Sequence, residues 1–468
     1  MTRKTKIICT LGPASESEAT LAEMIRAGAN VFRLNMSHAT HEWVSGIVPR
    51  IRKVAAELGR FVAILMDTQG PAIRTGDLET KLDLKPGDII ELTVRGEKSE
   101  ELYSVDVNYD GLIDDISVGD TVLVDNGVIH LKVLEKRHRR IRCEVLTPGT
   151  MGSRRHINLP GVKVNLPPLT AKDLEDVALG ARLGVDYVAL SFCREPGDVD
   201  LLRRVLGEHG SKAQIVAKIE DQVAMSNIQE IIETTDVIMV ARGDLGIECA
   251  MEEMPIIQRR IVKLCLRYGR PVIVATHMLE SMIQNPVPTR AEVTDVANAV
   301  FEEADAIMLS GETTIGKYPV SCVRVLDKVA RRIEKSGGAG YARDAIYRKD
   351  RQKTVHSATV LAATLERSKM MIFTRSGGMA NYVSAQRPRD TEIFAFASTE
   401  EVCRRIALNW GILPILMPFD PNPDKMIRTA EILLREQKRI EPGDNLVIIS
   451  DLLAEEKRFD SIQVRPVT

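Results

Sequence analysis

QIVAKIED, residues 214–221, begins as an apolar, β-branched run and ends in charged residues. On a strand, residues two apart face the same side, so Lys218 and Glu220 share a face at the carboxyl end while Ile219 turns the other way. Seven further stretches read in the same way: KIICTL (6–11), NVFRLNMS (30–37), FVAILMD (61–67), DYVALSF (186–192), DVIMVARGD (236–244), PVIVAT (271–276) and AIMLSGE (306–312). Helical periodicity separates them, as in SEATLAEMIRAGA (17–29), AKDLEDVALGARLG (171–184) and PIIQRRIVKLCLRYG (255–269). Continuous apolar strands alternating with helices suit a parallel sheet covered on its outer face, and eight units are the number that closes a barrel. The pattern predicts an α/β fold, a (β/α)8 TIM barrel in preference to a doubly wound open sheet, because polar residues gather at the carboxyl ends of the strands.

The rhythm breaks once. From about 71 to 166 there are no convincing helices, and strand-like pieces are punctuated by the turn signals KPGD (85–88), SVGD (117–120), DNG (125–127) and TPGTMG (147–152). This predicts an all-β insertion after the third strand, a small β-barrel placed above the main barrel's mouth as a lid. SGGAGYARDAIYRKDRQK (336–353) has the composition of a linker. A second α/β pattern follows, with strands near MMIFT (370–374), EIFAFA (392–397), LPILM (413–417) and NLVIIS (445–450). The expected domains are a barrel of 1–70 and 167–335, the lid of 71–166 and a C-terminal α/β unit of 354–468.

Composition narrows the function. The 468 residues are 44% hydrophobic and 27% charged, ordinary for a globular protein. Lys and Arg number 63 against 65 Asp and Glu, so the net charge of −2 offers no field for nucleic acid or acidic membrane. KRHRRIR (136–142) reads instead as the solvated face of a strand pair. Seven scattered cysteines without a CxxC pair support neither a disulfide framework nor a zinc site. The opening MTRKTKIICTLG lacks a signal-peptide core and no long apolar span follows, so a cytoplasmic enzyme is expected.

The strand ends then compose a site: Arg33, Asn35 and Ser37 from the second, Asp67 and Thr68 from the third, Lys218 and Glu220 from the fifth, Arg242 and Asp244 from the sixth, Thr276 from the seventh, Ser310 and Glu312 from the eighth. Glu220 and Asp244 end adjacent strands, and like charges about 4 Å apart repel by roughly 4 kcal/mol at an effective dielectric of about 20. They need a cation between them. An oxygen-only pair suits a hard ion that keeps open positions, Mg²⁺ or Mn²⁺. Lys218 beside it, with Arg33 and Arg74 opposite, makes a pocket for a phosphoryl group or a small carboxylate.

TKIICTLGPAS (5–15), NVFRLNMSH (30–38), MDTQGPAIRTG (66–76), AKIED (217–221), MVARGDLGIE (239–248), VATHMLESM (274–282), PTRAEVTDVANAV (288–300) and MLSGETTIGKYP (308–319) follow one another as they do in the pyruvate kinase family, which the chain resembles through the whole barrel. The resemblance implies glycolytic transfer of phosphoryl from phosphoenolpyruvate to ADP, giving pyruvate and ATP. It implies Glu220 and Asp244 as Mg²⁺ ligands, Lys218 as the lysine that stabilises the phosphoryl group in flight, and Arg33 and Arg74 as phosphate contacts. It also implies Asn35, Ser37, Asp67 and Thr68 as K⁺ ligands. Backbone amides of Ala241, Arg242, Gly243 and Asp244, with Thr276, match the cradle for the substrate carboxylate. Thr10, Pro13, Asn35, His38, Arg74 and Lys172 fall where the family binds nucleotide. Water relayed by Thr276, Ser310 and Glu312 is the expected proton source for the enolate, and a homotetramer is the family's usual assembly.

Some positions depart from the family pattern. Ala72 replaces the glutamate of potassium-dependent members and the lysine of potassium-independent ones, and Gln69 resembles the latter branch. With all four potassium-type ligands kept, K⁺ dependence is expected. His277 stands where glutamine is commoner, placed either to sense pH or to cap the next helix. In FTRSGGMANYVS (373–384), Thr374, Arg375, Ser376, Gly377 and Gly378 lead into a helix whose first amides suit a phosphate; the family binds allosteric effectors there. DLLAEEKRFDS (451–461) replaces the family's glycine-rich effector loop, and its acidic residues argue against a bisphosphate and toward a sugar monophosphate, AMP or no effector. Two other readings stand beside the kinase: a metal-dependent lyase on a phosphoenolpyruvate/pyruvate-type barrel, and a catalytically silent effector-binding homologue.

Overall fold

A computed structural model describes the backbone of all residues except 1, 95, 98, 100, 163, 455 and 456, and the side chains of all except these and 451–459. Eight parallel strands close into a barrel: Lys6–Thr10, Val31–Asn35, Ala63–Asp67, Tyr187–Leu190, Gln214–Ile219, Val237–Ala241, Val272–Ala275 and Ala306–Leu309. The two-residue period divides them cleanly. Ile8, Val31, Leu65, Ala189, Val216, Met239, Ile273 and Met308 pack together inside the barrel, while Ile7, Phe32, Ile64, Val188, Ile215, Ile238, Val274 and Ile307 pack outward with the helices. Leu408, from the C-terminal part of the chain, joins the interior cluster.

The expected helices form where the chain supplies caps. Ser17 accepts from the Thr20 amide to start Glu18–Ala27. Thr170 and Asp173 make a reciprocal capping box at Ala171–Leu183, which ends on left-handed Gly184. Met254–Tyr268 likewise ends on left-handed Gly269.

The insertion follows the third barrel strand. Its strands pair as a six-stranded sheet in the order Ile157–Asn158, Thr121–Val124, Ile129–Arg137, Arg140–Val145, Ile89–Thr93, Tyr103–Asp106, and as a separate ladder of Leu82–Leu84 with Gly149–Met151. Bridges from Arg74 to His156 and from Thr75 to Val107 join the two edges of the six-stranded sheet, and a four-residue helix, Leu112–Asp115, interrupts the all-β pattern. KRHRRIR lies in the hairpin joining Ile129–Arg137 to Arg140–Val145. The C-terminal sheet has the order Ile412–Leu416, Glu392–Ala397, Ser368–Thr374, Asn445–Ala454, Lys457–Pro466. Its last strand is antiparallel and was not expected. The linker composition also misled, because the helix Asp350–Thr364 begins within it. All seven cysteines are free thiols.

Candidate active site

Strand parity assembles the top layer of the barrel. Where Ile8, Val31, Leu65, Ala189, Val216, Met239 and Met308 point inward, so do the residues two further on: Thr10, Arg33, Asp67, Ser191, Lys218, Ala241 and Ser310. Lys218 is their hub. Its ammonium lies 2.9 Å from Glu220 Oε1, 3.2 Å from Asp67 Oδ1 and 2.8 Å from Ser191 Oγ, on a side chain 11% exposed. Burial works against the charge, but Asp67 and Glu220 outweigh it and hold the ammonium above its ordinary pKa. Asp67 in turn accepts from Arg33 Nε at 2.6 Å. Burial opposes its ionisation, yet Lys218 and Arg33 keep the carboxyl below its usual range. Arg33 is steadied by Thr10 Oγ1 at 3.1 Å.

Glu220 spends its second oxygen on the Phe192 amide at 2.6 Å, and Phe192 has a φ of 52°. Burial raises the Glu220 carboxyl to about 7, with Asp244 adding to the rise and Lys218 opposing it. Asp244 corrects one expectation: the sixth strand stops at Ala241, and Asp244 sits in the first turn of the helix Arg242–Glu248. It nevertheless lines the same cleft of about 370 Å³ as Glu220, Lys218, Arg33, Arg74, Asn35, Ser37 and Thr68. Among the described residues no group of three or more His, Cys, Asp or Glu side chains could hold an ion alone. Two carboxylates in a lysine- and arginine-lined cleft fit a divalent ion that takes its remaining oxygens from substrate and water.

The amides expected to form the carboxylate cradle lie at the junction of the sixth strand with the helix Arg242–Glu248. Arg242 does not turn its guanidinium toward the cleft; it donates to the Ala275 carbonyl at 3.2 Å, the Thr276 carbonyl at 2.6 Å and Asp295 Oδ1 at 2.7 Å. Thr276 falls on the outward parity of its strand, but a φ of 69° there and 55° at His277 turn the chain back. Thr276 Oγ1 thereby accepts the Gly243 N–H at 2.7 Å. A Cβ placed on Gly243 would meet Thr276 Oγ1 at 3.5 Å and His277 Cε1 at 3.7 Å. His277 therefore lies beside Gly243, and no side chain caps the turn Glu280–Ile283 that follows.

The relay expected of Thr276, Ser310 and Glu312 is not joined by hydrogen bonds among these side chains. Glu312 is buried, its two oxygens taken by the Leu279 amide at 3.0 Å and the Ser310 amide at 2.7 Å. It braces the loops after the seventh and eighth strands. Ser310 Oγ is buried without a hydrogen-bond partner.

Thr10, Pro13, Asn35 and His38 line a second cavity of about 700 Å³, with Trp43, Ser310 and Ile315; Arg33 and Asn35 border both this cavity and the cleft. Two expected nucleotide residues fall elsewhere. Arg74 lines the cleft, and Lys172 is tied to the Met36 carbonyl at 2.8 Å and Asp176 Oδ2 at 2.6 Å. Of the potassium-type set, Asn35 Oδ1 accepts the Ser37 amide at 3.2 Å, and Thr68 Oγ1 bonds the Ala189 carbonyl at 3.0 Å. Gln69 and Ala72 also border the cleft.

In the C-terminal unit, Thr374, Arg375, Ser376 and Gly378 line a cavity of about 690 Å³ with Lys349, Arg351 and Phe419. Left-handed Gly377 starts the helix Gly378–Ala385 and gives its N–H to Thr374 Oγ1 at 2.9 Å. Arg351 pairs with Asp460 at 2.6 Å. The acidic side chains of 451–459 lie outside the described residues.

Sequence reasoning missed Ser191, although the parity that finds Lys218 finds it too. It also missed Asp125, Asn126, Arg155 and His156, which the insertion brings to the cleft; loop residues carry no period to mark them.

Comparison with known proteins gives one family. A model of the pyruvate kinase barrel domain matches residues 2–323, and one of the pyruvate kinase alpha/beta domain matches 352–464. Curated relatives include the pyruvate kinases of Staphylococcus aureus strains MRSA252 and USA300. Each is 39% identical over 462 residues, covering 95% of this chain and 77% of the relative. The chain belongs to the pyruvate kinase family.

Proposed function

We propose that the protein transfers the phosphoryl group of phosphoenolpyruvate to ADP, forming pyruvate and ATP. The observation that carries this reading is the Lys218 ammonium fixed among Asp67, Ser191 and Glu220 in a cleft shared with Asp244, Arg33 and Arg74. Negative charge spreads over three phosphoryl oxygens in such a transfer, so preorganised cations are what the step requires. Lys218, Arg33 and Arg74 supply them. Arg33 borders both cavities, which suits a group passing from one to the other.

Enzymes of the family generally depend on Mg²⁺ and K⁺. We place the divalent ion on Glu220 and Asp244, where it would offset their mutual repulsion and neutralise substrate oxygens. Asn35, Ser37, Asp67 and Thr68 are the proposed K⁺ set. Ala72 brings no ammonium of its own, so K⁺ dependence is expected; full activity in Tris buffer free of sodium and potassium would contradict it.

Lys218, kept charged by two carboxylates, is suited to the phosphoryl group and not to proton donation. With Glu312 held by backbone amides, the proton source reduces to water positioned by Thr276 and Ser310. The Gly243 N–H and the Thr276 hydroxyl, now paired, are the donors proposed for the substrate carboxylate.

The C-terminal cavity supports a monophosphate effector, with Asp460 offsetting Arg351 against a more highly charged ligand. A flat response to a panel of sugar phosphates and AMP would remove that role. The insertion acts as the lid, and the family's tetramer is the assembly we expect. No described helix is long and apolar enough to cross a membrane. A coupled assay for pyruvate tests the function: formation only with ADP supports the kinase, formation without ADP the lyase, and none in either case the silent homologue.

A further inference from the structure

The insertion meets the barrel at a buried contact outside the cleft. Asn158, on the strand Ile157–Asn158, donates from Nδ2 to Glu248 Oε1 at 3.1 Å, and both side chains are buried. Glu248 ends the helix Arg242–Glu248, whose first turn carries Gly243 and Asp244. Asp244 and Glu248 stand four residues apart, one turn above the other on the same helix face. The Glu248 carbonyl accepts from Gln222 Nε2 at 2.5 Å, and Gln222 follows Glu220 by two residues. The insertion's hairpin turn rests on the same helix end, since a Cβ on Gly127 would lie 3.3 Å from Ile247 Cγ2.

Seven residues are too few for a helix to hold itself in place, so its anchors set its position. Arg242 ties the first turn to Ala275, Thr276 and Asp295. Glu248 ties the last turn to the insertion. We propose that Glu248 is a positioning residue: through Asn158 it makes the placement of Asp244 and of the Gly243 N–H depend on docking of the insertion. Undocking removes the Asn158 donor and opens the Glu248 carboxyl to water, so the last turn of the helix loses the contact to the insertion that helps fix its position. The metal carboxylate and the substrate cradle are thus set when the lid is seated and relaxed when it is not. Glu248 itself touches neither substrate nor metal, and its role rests on the pyruvate kinase reading of the cleft.

Asn158→Ala, Glu248→Gln and the double variant of the full chain test this, by steady-state kinetics, titration of Mn²⁺ followed by electron paramagnetic resonance, and thermal unfolding. Each single change is expected to weaken Mn²⁺ binding and raise KM for phosphoenolpyruvate about tenfold, the effect typical of lost outer support for a metal ligand, with kcat less affected. The double variant should be no worse than the worse single. Wild-type Mn²⁺ affinity and KM in the singles, a shift in melting temperature alone, or multiplying effects in the double would overturn the coupling. If Glu248→Gln does not fold, Asn158→Ala decides by the same readouts. A wild type that forms no pyruvate in the presence of ADP would overturn the function itself, a result distinct from an active wild type with unaffected variants.

Discussion

At Lys218, Asp67, Ser191 and Glu220 surround one ammonium, and only a group kept permanently charged suits that setting. Lys218→Met should therefore lower ATP formation by roughly 10²–10³ while exchange of pyruvate's methyl protons with solvent survives. Loss of both activities together would assign the lysine to carbon instead of phosphorus. The pair Lys218 and Glu220 was legible because a two-residue period needs no tertiary knowledge. Ser191 obeys the same period but looks like an ordinary turn residue. The role expected of Arg242 lay in its backbone amide; a sequence does not say where the guanidinium goes, and here it folds back on the carbonyls of Ala275 and Thr276.

The helix Arg242–Glu248 shows what is decided at the level of an element. MVA continues an apolar strand and hides the switch to helix at Arg242, so Asp244 was expected at a strand end and instead occupies a first turn. The correct face was reached by a different backbone. Thr276 is the converse case, since strand parity would aim it outward and left-handed backbone at 276 and 277 reverses that. Nothing in VATHML announces it. Gly243→Ala follows from this geometry: the added methyl makes only ordinary contacts, 3.5 Å and beyond, so the fold should be kept. The methyl nevertheless stands beside the cradle amide, and KM for phosphoenolpyruvate should rise roughly 10- to 100-fold by misplacing the carboxylate. An unchanged KM at an unchanged melting temperature would remove the cradle from the 243 amide.

Across the whole molecule, the barrel was legible because eight apolar strands and their helices repeat one local pattern, whereas the insertion's pairing was not, because antiparallel closure depends on long-range register. The edge strand Lys457–Pro466 mixes polar and apolar residues and was overlooked for that reason. The junction between barrel and C-terminal unit is also beyond local patterns. Lys6 buries its ammonium there on the Ile412 carbonyl at 2.7 Å. Burial, aided by Arg3, lowers its pKa from 10.5 to about 7. The unfolded chain then binds more protons than the folded one between about pH 7 and 10.5, so stability should rise with pH across that window. Lys6→Met should abolish this component, seen as a melting-temperature difference between wild type and variant that moves in favour of wild type from pH 7 to 10; a constant difference would contradict it. All of this scaffolding serves one convergence, Glu220 just past its strand and Asp244 in the first turn of the next helix lining one cleft with Lys218, where the proposed divalent ion would sit. Titration of Mn²⁺ into the wild type, Glu220→Gln and Asp244→Asn tests it most directly. One tight ion per chain in the wild type, weakened at least about tenfold by either change, is the predicted result, and Mn²⁺ affinity unaffected by both would contradict the account.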